Sequence, residues 1–97
     1  MRCELSPLAE ADLLEIGDYI AQDNPRRAES FVDELVEQAE KITRMPSGYS
    51  VREDLAPGLR MCTHGRYILF FRIIGPVVRV ERILHSRRDI GGDDFSS

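Results

Sequence analysis

Arg60-Met61-Cys62-Thr63-His64, then Gly65-Arg66, then Tyr67-Ile68-Leu69-Phe70-Phe71-Arg72-Ile73-Ile74, then Gly75-Pro76, then Val77-Val78-Arg79-Val80-Glu81-Arg82-Ile83-Leu84-His85: this stretch decides the fold. Its three runs are rich in β-branched and aromatic residues, and the two breaks carry glycine where hairpin turns need unusual backbone angles. An antiparallel meander follows. Tyr67 to Ile74 is apolar at both alternating sets of positions except Arg72, which marks a central strand covered on both faces. Helices are expected on one face, and the other cover is open to a partner. In the last run, strict alternation groups Val78, Val80 and Leu84 with Arg82, and Val77, Arg79, Glu81, Ile83 and His85 opposite. Alternation alone does not say which group meets the helices.

Upstream, the pattern changes from period two to helical spacing. Ser6-Pro7 reads as an N-cap and first helical position, so the short run before it, residues 1–5, is expected as a strand. Ala9, Leu13, Ile16 and Ile20 form one stripe, with Glu10, Asp12, Glu15 and Asp18 largely off it. The helix should stop near Gln22. Asp23-Asn24-Pro25 is a break in which Asn24 caps a second helix and Pro25 opens it. Ala28, Phe31, Val32, Leu35, Ala39 and Ile42 make the second stripe, and the two helices form a hairpin over 6–44. Residues 45–58, with Pro57-Gly58, read as a loop. The expectation is a single α+β domain over 1–97: a strand, a helical hairpin (6–44), a loop, antiparallel strands (59–85) and a tail (86–97), in the order β-α-α-β-β-β.

Composition limits what such a domain does. A chain of 97 residues builds one core. It has no apolar run near the ~18 residues of a membrane span and no secretory leader pattern, so a cytoplasmic location is expected. Cys3 and Cys62 lack metal-ligand spacing and read as reduced, buried side chains, and neither a metal nor another cofactor is implied. Charge is segregated: residues 1–44 hold five basic and eleven acidic side chains, whereas 45–88 hold eight basic and three acidic. Seven of the thirteen Lys and Arg lie between Arg60 and Asp89. That half is expected to meet an anionic partner or nucleic acid.

Several short pieces recur here in a specific order: Leu5-Ser6-Pro7, Ala11-Asp12-Leu13, Asp18-Tyr19, Asn24-Pro25, Pro57-Gly58-Leu59-Arg60, Gly65-Arg66-Tyr67 and Leu84-His85-Ser86-Arg87-Arg88-Asp89. In that order and spacing, over nearly the whole chain, they resemble the ParE/RelE superfamily of toxins from type II toxin-antitoxin systems, and its ParE-like branch in particular. The resemblance implies a helical hairpin on a mostly antiparallel sheet and a cognate antitoxin whose C-terminal segment folds as it wraps the toxin. ParE-like members inhibit DNA gyrase, and RelE-like members cleave messenger RNA on the ribosome. One scaffold carries both, so the fold does not choose.

The chemistry separates the two. A metal-independent ribonuclease needs a proton acceptor, a proton donor and cations for the phosphorus-bound charge. Glu53, Arg66 and His85 are the candidates. RelE-like ribonucleases often use a tyrosine or a histidine-tyrosine pair near the C-terminus, whereas here Ser86 follows His85 and no tyrosine follows Tyr67. A gyrase inhibitor that acts by docking needs only contact residues, and Arg60, Arg66, Arg82, His85, Arg87 and Arg88 are the candidates for binding target or antitoxin. The expectation is therefore a gyrase-inhibiting toxin without catalytic residues. The alternatives are a ribosome-dependent endoribonuclease, which alone would bind nucleic acid directly, and an inactive antitoxin-binding module. Arg82, on an otherwise apolar face, requires a carboxylate such as Glu53 or Asp54, or a partner groove. His64 reads as a turn residue, and Tyr67, Phe70 and Phe71 as core.

Overall fold

Ser6 is the joint between the first strand and the first helix. The structure, a computed structural model describing residues 1–96, places β1 at Arg2–Leu5 and α1 at Pro7–Ala21. Ser6 Oγ accepts the Ala9 N–H at 3.0 Å, which caps α1, and donates to the Glu81 carbonyl at 2.7 Å, which ties the joint to a distant strand. Pro7 costs nothing as the first helical residue, where an N–H would have no helical acceptor. Asn24 repeats the device: its Oδ1 accepts the Arg27 N–H at 3.0 Å, and Pro25 opens α2, Pro25–Ile42. Ala9, Leu13 and Ile16 of α1 and Ala28, Phe31, Leu35, Ala39 and Ile42 of α2 are buried, as the two stripes predict. Of the expected tail 86–97, Ser97 lies outside the described residues.

The remaining strands are β2 (Ser50–Val51), β3 (Arg60–His64), β4 (Tyr67–Ile74) and β5 (Val77–His85), in the sheet order β1-β5-β4-β3-β2. β1 runs parallel to β5, and the other neighbours are antiparallel. Gly65 and Gly75 have φ of +58° and +56°, each as the first residue of a two-residue turn, the place where a type II′ turn requires glycine. One element exceeds the expected set. Residues 45–58 are not a plain loop, because they hold a single 3-10 turn (Pro46–Gly48) and β2. The Arg60 guanidinium causes this by donating to the carbonyls of Ser47 at 3.3 Å and Tyr49 at 2.8 Å, which fastens the segment along β3.

The two faces of the sheet carry two cores. Leu69, Phe71, Val78, Val80 and Ile83 pack under the helices. Ile68, Phe70 and Leu84 face the other way, against Ala56 and Leu59, with Leu55, Ile90 and Phe95 closing over them. The second cover is thus the chain itself: the loop before β3 and the C-terminal tail occupy a face that the sequence left open to a partner. Strict alternation along β5 also fails. Phe70 pairs with Arg82 but Phe71 with Val80, so Glu81 is an extra residue in β5. Such a bulge shifts everything after it to the opposite face. Ile83, not Leu84, therefore joins Val78 and Val80 under the helices.

Candidate functional site

The bulge also builds the most distinctive constellation in the molecule, where β4 begins and β5 ends. A regular two-residue hairpin would set Tyr67 opposite Leu84. With Glu81 inserted, Tyr67 pairs with His85, and their rings meet edge to face at 5.1 Å. The Ser86 N–H donates to the Arg66 carbonyl at 2.8 Å and holds the two strand ends together. The Arg87 N–H donates to His85 Nδ1 at 3.0 Å, so in the neutral ring the proton sits on Nε2. His85 can then donate from Nε2, but its one acceptor nitrogen is already engaged.

Beside these residues, a cavity of about 190 Å³ opens between α1 and β5, lined by Asp12, Glu15, Tyr19, Tyr67, His85 and Arg88 among others. Burial, with Tyr19 close by, pushes the Tyr67 phenol above its ordinary range. It stays protonated and is a hydrogen-bond donor, not a base.

The candidate residues divide between this end and elsewhere. Arg66 and Arg87 are exposed, and among the described residues their guanidinia make no ion pair. Arg88, also exposed, is bound to Asp94 at 2.7 Å. Arg60 is spent on the Ser47 and Tyr49 carbonyls. Arg82 is mostly buried, and its carboxylate is Asp12, not Glu53 or Asp54: Nε and Nη2 donate to the two Asp12 oxygens at 2.8 and 2.9 Å. Those two groups cannot meet a partner without breaking the pair. Glu53 lies on the loop before β3, where it accepts the Gly58 N–H at 3.1 Å. It does not line the cavity that holds His85. The three ribonuclease candidates are therefore not one cluster.

Two positions at this end of the sheet escaped the sequence reading. Tyr67, read as core, is half-buried and shares the cavity with His85, a pairing visible only once the bulge is known. Asp12, read as lying off the stripe, is buried at 6% exposure and accepts the Ile83 N–H at 2.9 Å as well as both Arg82 donors. A second polar cluster ties α2 to β3: Glu34 bridges Arg27 and His64, and the Arg27 guanidinium lies over the Phe31 ring. The hydrogen bond from Arg27, reinforced by that from His64, lowers the Glu34 carboxyl to about 2. His64, read as a turn residue, is the last residue of β3 and one arm of this bridge. Cys62 is buried, accepts from Gln38 Nε2 at 3.0 Å, and is raised mainly by burial, which makes it an inert thiol. Among the described residues no three His, Cys, Asp or Glu side chains gather as a metal would need. No helix among them is long and apolar enough to cross a membrane.

Comparison with known proteins gives one consistent answer. The family described as the ParE toxin of the type II toxin-antitoxin system parDE matches residues 3–90. Toxin ParE1 of Mycobacterium tuberculosis is 32% identical over 88 residues, which cover 89% of this chain and 90% of that protein. Toxin ParE1 of Caulobacter vibrioides is 34% identical over 82 residues, covering 84% of each. Among solved structures, the chromosomal ParDE toxin-antitoxin system from P. aeruginosa superposes with a TM-score of 0.77 at 26% identity, covering 88% of this chain and 95% of that one. The toxin-antitoxin complex RelBE2 from M. tuberculosis follows at 0.64 and 25%, covering 87% and 95%.

Proposed function

This chain belongs to the ParE toxin family of type II toxin-antitoxin systems, and we propose that it acts by docking on DNA gyrase through the free end of the β4–β5 hairpin and is neutralised by a cognate antitoxin. The observation that carries the gyrase reading is the pair of exposed guanidinia of Arg66 and Arg87, unengaged among the described residues, which the Ser86–Arg66 hydrogen bond brings to one end of the sheet. Arginine suits a docking contact because its planar fork binds carboxylate or phosphate with two donors. The engaged His85 Nδ1 and the separation of Glu53 from His85 favour docking over proton-transfer chemistry. The antitoxin reading draws on the family match and on the toxin-antitoxin complexes among the structural neighbours. The site of action is then the cytoplasm, where gyrase works.

A second reading has one observation behind it. The edge-to-face Tyr67–His85 pair supplies, through the fold, the histidine and tyrosine that a RelE-type ribonuclease draws from its C-terminal segment. The test is purified protein in a gyrase supercoiling assay beside a ribosome-bound messenger cleavage assay. Inhibited supercoiling with intact messenger is the expected result. Cleaved messenger with unimpaired supercoiling replaces the proposal with the ribonuclease.

A further inference from the structure

The tail sits on the second face of the sheet in the way a bound peptide would. Phe95 packs its ring on Phe70, centroids 4.9 Å apart and steeply inclined. Asp94, just before it, is held from two sides: Arg88 Nη2 donates to its Oδ1 at 2.7 Å, and Arg82 Nη1 donates to its main-chain carbonyl at 3.3 Å. The Gly91 N–H donates to the other Asp94 oxygen at 3.1 Å, so the segment is pre-folded into the single 3-10 turn Gly92–Phe95. Among the described residues no strand pairs with this segment. Its hold rests on the Phe95 ring, the bonds of Asp94 to Arg88 and Arg82, and the packing of Ile90 and Phe95 on the apolar shelf of Ile68, Phe70 and Leu84.

The groove runs on beyond the tail's anchor. A cavity of about 280 Å³ continues past Phe95 and Ser96, lined by Leu8, Arg72, Arg79 and Glu81. Leu8 is 54% exposed there. The Arg72 Nε is buried and, among the described residues, has no hydrogen-bond partner. The groove thus offers a cation for a carboxylate and a ring for an aromatic side chain, with open space beyond them.

We propose that this face, bordered by Arg82, Arg88, Phe70 and Arg72, is a recognition surface for an acidic–aromatic segment of a partner protein, and that Asp94-Phe95 occupies it in cis. The surface is distinct from the Arg66–Arg87 end and does not depend on the gyrase reading. A tethered occupant competes at an effective concentration of order millimolar, so a partner segment reaches the face only by displacing the tail or when the tail's anchors are lost.

The experiment uses the full chain and a labelled heptapeptide with the sequence of residues 90–96, with binding read by fluorescence anisotropy. In the variant carrying Asp94→Asn with Phe95→Ala, the tail remains but its carboxylate and its aromatic ring are gone. This variant is expected to bind the peptide at least tenfold more tightly than the unaltered chain does. Adding Arg88→Ala, or using a peptide with the same two replacements, should abolish the gain. Equal binding to both chains, or no binding to a variant whose methyl NMR spectrum shows the native core, overturns the proposal. Hydrogen exchange on the unaltered chain decides independently of whether that variant folds. The Gly91 and Asp94 amides should exchange by local opening, at least a hundredfold faster than the amides of β4. Exchange of these amides only through global unfolding also overturns it.

Discussion

Asp12 and Arg82, seventy residues apart, form a two-pronged ion pair in which both carboxylate oxygens accept from one guanidinium, at 2.8 and 2.9 Å. β1 ends at Leu5, so β5 has no strand neighbour on that side beyond Val80, and Asp12 also accepts the Ile83 N–H that such a neighbour would have taken. One carboxylate therefore fixes α1 to the sheet edge and neutralises a mostly buried cation. Through Arg82 the contact continues to Asp94 and Arg88.

Removing one member of this pair strands the other. Asp12→Ala is expected to destabilise the fold by about 3–5 kcal/mol, since it leaves Arg82 charged and unpaired and the Ile83 N–H without its acceptor. Asp12→Leu combined with Arg82→Met should cost much less than the two single changes added together. The residue of that cost is the Ile83 N–H, worth about 1–3 kcal/mol. Urea denaturation of Asp12→Ala and of the unaltered chain, Asp12→Leu, Arg82→Met and their double variant measures this, and additive losses would show that the pair is not a coupled unit.

Glu34 gives a prediction with a definite direction in pH. Its carboxyl is lowered to about 2, first by the Arg27 hydrogen bond and then by that of His64. An unfolded glutamate titrates near ~4.3, so between the two values the unfolded chain binds the extra proton. The contribution is fully present above about pH 5 and is lost as pH falls toward the folded value. A carboxyl-carbon NMR titration should place Glu34 near 2, and Arg27→Ala should return it most of the way to the ordinary range. An Arg27→Ala midpoint that stays low would assign the effect to His64 instead. Because the bridge is solvent-exposed, added salt should weaken it.

How much of this was legible follows from where each signal lies. Ser6, Asn24, Gly65 and Gly75 act through neighbours within a few residues, and their caps and turns could be read directly. Asp12 was legible in principle. Ala9, Asp12, Leu13 and Ile16 repeat at the three- and four-residue spacing of a buried face, and a carboxylate on such a face demands a cation. Its partner was not legible, because nothing local distinguishes Asp12 from Glu53 or Asp54 as the acceptor for Arg82. The bulge at Glu81 was hidden too, since charged residues at Arg79, Glu81 and Arg82 fit either register. With it went the Tyr67–His85 pairing. The cover of the second face was missed because a loop and a tail carry no periodicity, although Leu55, Leu59, Ile90 and Phe95 are the apolar residues that do the covering.

Gly75 separates a conformational requirement from a packing one. It has φ of +56°, and a Cβ added there meets nothing within 4 Å. Gly75→Ala should therefore cost about 1–2 kcal/mol purely from the backbone angle. Gly91, equally open but with φ of −134°, serves as the control. Gly91→Ala should leave stability unchanged or raise it by up to about 1 kcal/mol. Thermal or urea denaturation compares them. Equal losses at the two sites would deny the turn its left-handed requirement.

The two readings of the toxin demand different things of the same end of the sheet. Docking through Arg66 and Arg87 predicts that changing both to alanine weakens gyrase inhibition by more than about 2 kcal/mol, roughly thirtyfold, as truncation of a central arginine contact can. Both side chains are exposed and without ion pairs among the described residues, so the double variant should melt within a degree or two of the unaltered chain. His85→Ala should then have a smaller effect, since docking requires no proton donor. A ribonuclease predicts the reverse order. Loss of a proton-transfer group costs about 10² to 10⁴ in rate, so His85→Ala would abolish cleavage, and Tyr67→Phe would reduce it by removing the phenolic donor beside His85. Tyr67→Phe keeps the ring packed edge-on against His85 and tilted against Phe31, so any loss it causes reports on the hydroxyl and not on the fold. Inhibition constants for the arginine double variant, His85→Ala and Tyr67→Phe in the supercoiling assay, beside single-turnover messenger cleavage, rank the four residues. A ranking led by His85 and Tyr67 would give this end of the sheet to catalysis, and one led by Arg66 and Arg87 gives it to docking.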